Sequence, residues 1–275
     1  MKNILLPTDF SKNSWTAINY VLKLYKNEVC VFYLLNASEL KLTSTLSMSK
    51  KLVQTIHKKD KDQLQEFKEK IKASLNPTKH QVKTILSSES LFSAIELAVQ
   101  ANTIDLIVMG TKGATGIKEL VLGSNAVKII NTINTCPVLV IPENCTYKSI
   151  KSIAFPTDYS RTYTSKELKP IVKIANLFGA KIQVLYVAEN SKLSQKQKDN
   201  KALLKQHLQT SKSSFHWALS YVKVALEISS FVEDYEIDML TMVKYKHSYF
   251  EKILREPIIK KIGFHIKIPF LVIPQ

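Results

Sequence analysis

Short apolar segments alternate with segments of helical periodicity along the first half of the chain. The apolar segments begin with ILLP (residues 4–7) and VCVFYLL (29–35) and continue at residues 82–86, 105–110 and 138–141. Helical patterns lie between them, over residues 12–25, 49–75, 91–100 and 124–133. Continuous apolar strands bounded by turns are typical of parallel sheets that helices cover on both faces. The pattern therefore predicts an α/β fold built from βαβ units.

The second half of the chain repeats the first. KNILLPTDFS (Lys2–Ser11) returns as KSIAFPTDYS (Lys151–Ser160), and each half closes on a similar strand, CPVLVIPE or IPFLVIPQ. A short polar joint, PENCTYKS, separates the halves. Two domains of about 140 residues each are therefore expected, covering residues 1–146 and 147–275. Strands of the second half are expected near Ile153, Ile182, Phe215, Met239 and Phe270.

The composition is that of an ordinary globular protein, with 45% hydrophobic and 23% charged residues. No apolar run approaches the roughly 18 to 20 residues that cross a bilayer, and Pro7 and Asp9 interrupt the N-terminus too early for a secretory signal. We therefore expect a cytoplasmic protein with no membrane partner. The three cysteines form no C-x-x-C pair and the six histidines no H-x-x-x-H pair, so neither a disulfide framework nor a protein-bound metal is expected.

The charge balance is basic, because 39 Lys and Arg minus 23 Asp and Glu gives +16. Residues 148–275 are the denser part, where 21 minus 11 gives +10. Basic surfaces attract nucleic acids, but no helix-turn-helix, zinc finger or aromatic RNA-binding motif accompanies this one. Charge runs mostly lie on solvated helices, and that interpretation is favoured over a nucleic-acid surface.

Four of the six glycines lie between Gly110 and Gly123, in MGTKGATGIKELVLGSNA. This segment leaves an apolar strand and enters a helix that begins near Ser124. Open α/β sheets bind ligands at that place, beyond the carboxyl ends of the strands. Glycines allow a phosphate to approach the backbone closely, and the helix start offers N–H groups and a positive dipole end. The loop therefore predicts an anion site, although it matches neither a P-loop nor a G-x-G-x-x-G fingerprint.

The spacing G-x2-G-x9-G-[ST], with Gly110, Gly113, Gly123 and Ser124 in register, resembles the ATP-binding motif of the universal stress protein family. PTDFS after the first strand and PVLVIP at the end are similar to that family in both halves. The resemblance implies two tandem doubly wound domains, each a five-stranded parallel sheet of the adenine nucleotide alpha hydrolase-like type with strand order 3-2-1-4-5. It also implies that the last strands, VLVI and FLVI, pair within the chain. Association of whole chains into a homodimer stays open.

The resemblance further implies a ligand, ATP with Mg as its counterion, with AMP and ADP as alternatives. Adenosine would lie near the acidic residue after strand one and near the end of strand two, and the glycine loop would hold the phosphates. Ala126 and Lys112 depart from the common family pattern, the first by lacking a hydroxyl, the second by replacing His or Arg. The implied binding residues are Pro7, Thr8, Asp9, Ala37, Met109, Gly110, Lys112, Gly113, Gly123, Ser124, Asn125 and Ala126.

Each motif has a structural alternative. Asp9 and Ser11 fit the N-terminal cap of the first helix, and the glycine loop fits a plain connector. In the second half, DMLTMV aligns with DLIVMG of the first half. In this alignment other residues stand at the glycine positions, and a Pro, which has no N–H, stands at the helix start. We therefore expect no nucleotide there. The replacing residues are Val243, Lys246, Glu256 and Pro257.

Three functions fit these features. The favoured one is a cytosolic stress-response protein that binds ATP in its first half and acts as a nucleotide-responsive interaction module, through ordering of residues 111–122. Slow ATP hydrolysis at the same site is the second, although no general base is evident in the sequence. A scaffold or nucleic-acid binder that uses the basic second half is the third. The polar segment from Ser38 to Asn76 is either a lid or, as we favour, a surface helix.

Overall fold

The structure is a computed structural model of the chain, and it describes residues 1–38, 50–111, 123–188, 192–219, 224–245 and 267–275. The chain divides into two compact units, the first ending at Tyr147 and the second beginning at Lys148. All the strands expected from the sequence are present.

The first unit is a five-stranded sheet with helices between its strands. The strands lie in the order β3-β2-β1-β4-β5, and the neighbouring strands are parallel. This confirms the strand order that the family resemblance implied. In chain order the elements are β1 (Lys2–Pro7), α1 (Lys12–Leu24), β2 (Cys30–Ala37), α2 (Lys50–Lys72), β3 (His80–Ser87), α3 (Leu91–Asn102), β4 (Leu106–Gly110), α4 (Ser124–Thr132) and β5 (Val138–Ile141).

Strand β1 is the centre of this sheet. Ile4 lies opposite Phe32 of β2 on one side and opposite Leu106 of β4 on the other. Residues 4–6 are completely buried, which explains the uninterrupted apolar run ILL. Because all three strands are parallel, their carboxyl ends meet at one edge of the sheet. In an open α/β sheet this edge is the usual place for a ligand.

The second unit repeats the arrangement with strand order β10-β9-β6-β7-β8 and parallel neighbours. Its central strand is β6, where Ile153 pairs with Ile182 on one side and Met239 on the other. Its elements are β6 (Ser152–Pro156), α5 (Ser165–Phe178), β7 (Lys181–Ala188), α6 (Gln195–His207), β8 (Ser213–Leu219), α7 (Val224–Asp234), β9 (Met239–Lys244) and β10 (Phe270–Pro274).

The ends of several helices follow from local side-chain chemistry. Ser11 caps α1, because its hydroxyl accepts the N–H of Ser14, the third residue of the helix. Thr164 begins α5 with a capping box in which Glu167 is the reciprocal partner, and Ser194 begins α6 in the same manner. Helix α5 ends at Gly179, whose φ of 64° is the left-handed conformation that glycine adopts without strain.

An aspartate beside the central strand recurs in both units. The carboxylate of Asp105, which precedes β4, accepts the N–H of Asn3 at 2.9 Å. The carboxylate of Asp238, which precedes β9, accepts the N–H groups of Lys151 and Ser152 at 2.7 and 3.0 Å. Each aspartate therefore satisfies donors at the first residues of the central strand and helps fix the register of the strand beside it.

Within the described ranges, no helix combines the length and the apolar character needed to cross a membrane. The long helix α2 carries many charged residues along its 23 positions.

We expect Asp238→Ala to lower the free energy of unfolding by about 1 to 2 kcal/mol, because two N–H groups lose a charged acceptor. Asp234→Ala is the matched control, since Asp234 is solvent-exposed at the end of α7 and its removal should change stability by less than about 0.5 kcal/mol. Urea denaturation of both variants measures the difference. Equal stability of the two variants would contradict the assigned role of Asp238.

Candidate functional site

The loop after β1 is held by hydrogen bonds that converge on Thr8. Its N–H donates to the carbonyl of Leu35 at 2.8 Å, and its hydroxyl accepts the N–H of Phe10 at 3.0 Å and shares a hydrogen bond with Ser14. Asp9 is exposed, and one of its carboxylate oxygens accepts the N–H of Ser11 at 3.1 Å. Pro7 and Thr8 are buried, so among the predicted residues of this loop Asp9 has the accessible side chain.

Phe10 follows Asp9 with φ of 62°, a conformation that a bulky side chain rarely adopts. Its ring packs edge-on against Phe67 of α2, with ring centroids 5.1 Å apart, and Trp15 contacts the same ring. The aromatic contacts and the bond from the Phe10 N–H to Thr8 stabilise this turn. They also fix helix α2 beside the loop that carries Asp9.

The end of β2 lies directly beside this loop. The side-chain amide of Asn36, which is buried, donates to the carbonyl of Thr8 at 2.9 Å. Ala37 is the last residue of β2, and the hydroxyl of Ser38 contacts the Asp60 carboxylate of α2 in a short hydrogen bond. Asp60 is therefore a second carboxylate at this edge. Sequence motifs do not identify Asp60, because 22 residues separate it from Ser38.

Gly110 ends β4, next to the buried side chain of Asn13 on α1. A Cβ atom added to Gly110 would lie 2.6 to 2.9 Å from the amide atoms of Asn13, closer than side-chain atoms approach in folded proteins. Glycine is thus required here because the Asn13 side chain leaves no space for a Cβ atom. The motif alone relates this glycine to the approach of a phosphate, and the structure adds the packing against Asn13 as a second reason.

Helix α4 begins at the same edge. Its N-cap is Gly123, with φ of −57° and ψ of 150°, a conformation open to any residue, so the backbone angles alone do not demand glycine. The N–H of Gly123 donates to the carbonyl of Thr111 at 2.5 Å, and the first bond within the described helix runs from Val127 to Gly123. The N–H groups of residues 124–126 therefore have no acceptor within α4.

The remaining six predicted site residues divide into three groups. Ser124 and Asn125 are exposed at the start of α4, whereas the side chain of Ala126 is buried and only its N–H could reach a ligand. Met109 is buried within β4. Lys112 and Gly113 lie outside the described residues. The structure thus brings the ends of β1, β2 and β4 and the start of α4 to one edge of the first unit.

The described residues contain no group of three or more His, Cys, Asp or Glu side chains that could hold a metal ion. The two buried cysteines of the first unit lie at the other edge of the sheet, Cys30 at the first residue of β2 and Cys136 two residues before β5. Burial raises the pKa of the Cys30 thiol to about 11 and that of Cys136 to about 12. Both cysteines are therefore protonated at neutral pH and act as buried apolar residues.

The second unit places different side chains at the equivalent edge. Asp158 forms the same turn as Asp9, because it accepts the N–H of Ser160 at 2.9 Å. Its carboxylate also accepts a hydrogen bond of 2.7 Å from the hydroxyl of Tyr245, which is the residue directly after β9. Burial raises the pKa of Tyr245 well above its ordinary value, so this hydroxyl remains a donor. Tyr245 thus engages the carboxylate that corresponds to Asp9.

Arg161 completes this arrangement. Its guanidinium lies 4.4 Å from the ring centroid of Tyr245 and 4.8 Å from that of Tyr163, and it forms an ion pair with Glu167 at 2.5 Å. The hydroxyl of Tyr163 bonds to that of Thr157 at 2.8 Å. We call Arg161, Tyr163, Glu167 and Tyr245, together with Asp158, the tyrosine–arginine cluster.

The ionisation of Glu167 follows from this environment. Burial raises its pKa, but hydrogen bonds from Arg161 and from the Thr164 backbone and hydroxyl outweigh it and hold the pKa below the ordinary value. Val243, at the position equivalent to Gly110, is buried in β9. Lys246, Glu256 and Pro257 lie outside the described residues.

A parallel sheet of order 3-2-1-4-5, with a glycine at the end of its fourth strand and a helix start beside it, belongs to the adenine nucleotide alpha hydrolase-like class of α/β proteins. The sequence model of the universal stress protein family matches residues 1–142. The chain belongs to the universal stress protein family.

Individual relatives agree with this assignment. Universal stress protein MJ0577 of Methanocaldococcus jannaschii is 30% identical over 154 residues, which span 51% of this chain and 94% of that protein. Universal stress protein MJ0531 of the same organism is 31% identical over 147 residues, covering 51% of this chain and 81% of that protein. The crystal structure of a universal stress protein from Archaeoglobus fulgidus DSM 4304 is similar in fold across 99% of this chain and 96% of its own, with a TM-score of 0.70 and 18% identity.

We expect Gly110→Ala to destabilise the first unit by about 1 to 3 kcal/mol, because the added methyl group displaces the Asn13 amide. Asn13→Ala should partly relieve this effect, so that the double variant is more stable than the sum of the single changes predicts. Equilibrium unfolding of the four proteins gives the coupling energy. Simple additivity would show that Asn13 is not the reason for glycine at this position.

We expect Glu167→Gln to lower stability by about 1 to 3 kcal/mol at pH 7, because a buried charged partner of Arg161 is lost. The pKa of Glu167 is lowered by folding, so its contribution is present above pH 4.5 and disappears as the pH falls through the folded-state pKa. The difference between variant and wild type in thermal unfolding should therefore shrink below pH 4.5. Glu233→Gln removes an exposed ion pair with Lys267 and should change stability by less than about 1 kcal/mol at either pH.

Proposed function

We propose that the chain binds one adenine nucleotide, ATP with Mg as its counterion, at the carboxyl edge of the first unit. The observation that carries the proposal is the convergence of Asp9, the end of β2, Gly110 and the start of α4 at one edge. Anions are stabilised at a helix start by unpaired N–H groups and by the helix dipole. The exposed Ser124 adds a hydroxyl donor beside those groups.

The chemistry of this edge suits the two ends of a nucleotide. The loop of Asp9 and the end of β2 offer a carboxylate and a backbone edge to the nucleoside, and the N–H groups of residues 124–126 offer donors to phosphates. Gly123 supports phosphate approach, since its backbone angles alone do not call for glycine. Lys112, Gly113 and Met109 are carried in the proposal from the family motif.

We further propose that the second unit is a universal stress protein domain without a nucleotide. The tyrosine–arginine cluster supports this, because Tyr245 engages Asp158 and Arg161 lies against its ring. A nucleoside at this edge would have to displace a charge-assisted hydrogen bond and a cation–π contact. The expected stoichiometry is therefore one ATP per chain.

A binding module rather than an efficient enzyme is the role we propose for the first unit. Phosphates that engage the start of α4 would act on the segment between Thr111 and Gly123, and ligand binding can favour one conformation of such a segment over another. This would make the surface offered to a partner protein dependent on nucleotide.

Asp9→Ala should weaken ATP binding about tenfold or more, because a carboxylate at the nucleoside end is lost. Asp158→Ala is the matched control, since it removes the same motif residue from the second unit and should leave affinity and stoichiometry unchanged. Calorimetric titration of the nucleotide-stripped full chain with ATP and Mg measures both. A stoichiometry of two, or equal effects of the two substitutions, would refute the assignment of the site to the first unit.

A further inference from the structure

Asp60 is a carboxylate that the family motif does not include, yet the fold brings it to the candidate site. It lies on helix α2, and its partner Ser38 directly follows Ala37, the last residue of β2. Ser38 also contacts the side-chain oxygen of Asn36 at 3.2 Å, and Asn36 donates to the carbonyl of Thr8. The single proton of the Ser38 hydroxyl goes to the nearer acceptor, Asp60, and these contacts together place Asp60 beside the end of β2 and close to the loop of Asp9.

This placement has a chemical consequence. A carboxylate held at the end of the second strand of a nucleotide-binding α/β sheet is suited to accept a hydrogen bond from a ribose hydroxyl. Ser38 engages one oxygen of Asp60, and a carboxylate has acceptor capacity for further donors on its two oxygens. Asp9 lies in the loop after the adjacent strand β1, so this edge carries two carboxylates, one from that loop and one from helix α2.

Helix α2 is fixed at this place by more than the one hydrogen bond. Phe67, seven residues after Asp60 and therefore about two helical turns away, packs against Phe10 and Trp15. Lys70 lies 4.3 Å from the ring centroid of Trp15. These contacts hold α2 against the loop after β1 and so determine where Asp60 stands.

We propose that Asp60 is a specificity-determining residue that accepts a hydrogen bond from a ribose hydroxyl of the bound nucleotide, and that Ser38 positions it. The inference rests on the proposed nucleotide site in the first unit. It makes the first unit selective for ribonucleotides over deoxyribonucleotides. The second unit, for which we propose no nucleotide, has different contacts at the corresponding helix, α6. There the side-chain amides of Gln197 and Asn200 donate to the backbone carbonyls of Asp158 and Tyr159.

The test compares the binding of ATP, 2′-deoxy-ATP and 3′-deoxy-ATP, each with Mg, to the full-length chain. Wild type should bind ATP about tenfold more tightly than at least one deoxy analogue, since a hydrogen bond to a charged group is lost. Asp60→Asn keeps the size of the side chain and should reduce that preference to about twofold or less. Ser38→Ala keeps the carboxylate without its positioning donor and should reduce the preference to an intermediate value.

Asp62→Asn is the matched control, because Asp62 is an exposed residue two positions along the same helix, and it should keep the full preference for ATP. If Asp60 has only a structural role, Asp60→Asn will weaken the binding of all three nucleotides equally and leave the ratio of their affinities unchanged. That result would overturn the inference. Absence of any preference in wild type would overturn it as well. Failure of wild type to bind ATP at all would refute the proposed function, and the inference with it.

Discussion

The first unit depends on the way the backbone leaves β1 at Thr8. One residue engages its N–H, its carbonyl and its hydroxyl at the same time, with Leu35, Asn36 and Phe10. These bonds attach the end of β1 to the end of β2 and fix the turn that precedes α1. The position of Asp9 therefore follows from hydrogen bonds within the protein itself.

The second unit shows how much of this geometry is independent of binding. Thr157 donates its N–H to Leu185 and accepts the N–H of Tyr159, and Tyr159 has φ of 52°, close to that of Phe10. The second unit thus retains the turn, although different side chains lie at the carboxyl edge of its sheet. The PTD motif serves the fold in both units, and the candidate binding role in the first unit is added to a turn that the fold requires.

The sequence predicted the strands and the edge at which the glycine loop lies, because apolar periodicity and a repeated motif are local signals. The order of the strands came from the family resemblance, because periodicity does not say which strands are neighbours. It predicted the ends of β1 and β4 to within one residue, since Pro7 and Gly110 mark them. The pairs Asp60 with Ser38, Tyr245 with Asp158 and Asn13 with Gly110 could not be predicted. Their members are separated by 22, 87 and 97 residues, and only the folded sheet brings such distant positions together.

The tyrosine–arginine cluster also makes the side chains of this edge depend on one another. Loss of the Tyr245 side chain alone would remove both the hydroxyl that donates to Asp158 and the ring that faces the Arg161 guanidinium. Arg161 would still be paired with Glu167, which is buried beside it. Substitutions within the cluster therefore have non-additive effects on stability, because its side chains share partners.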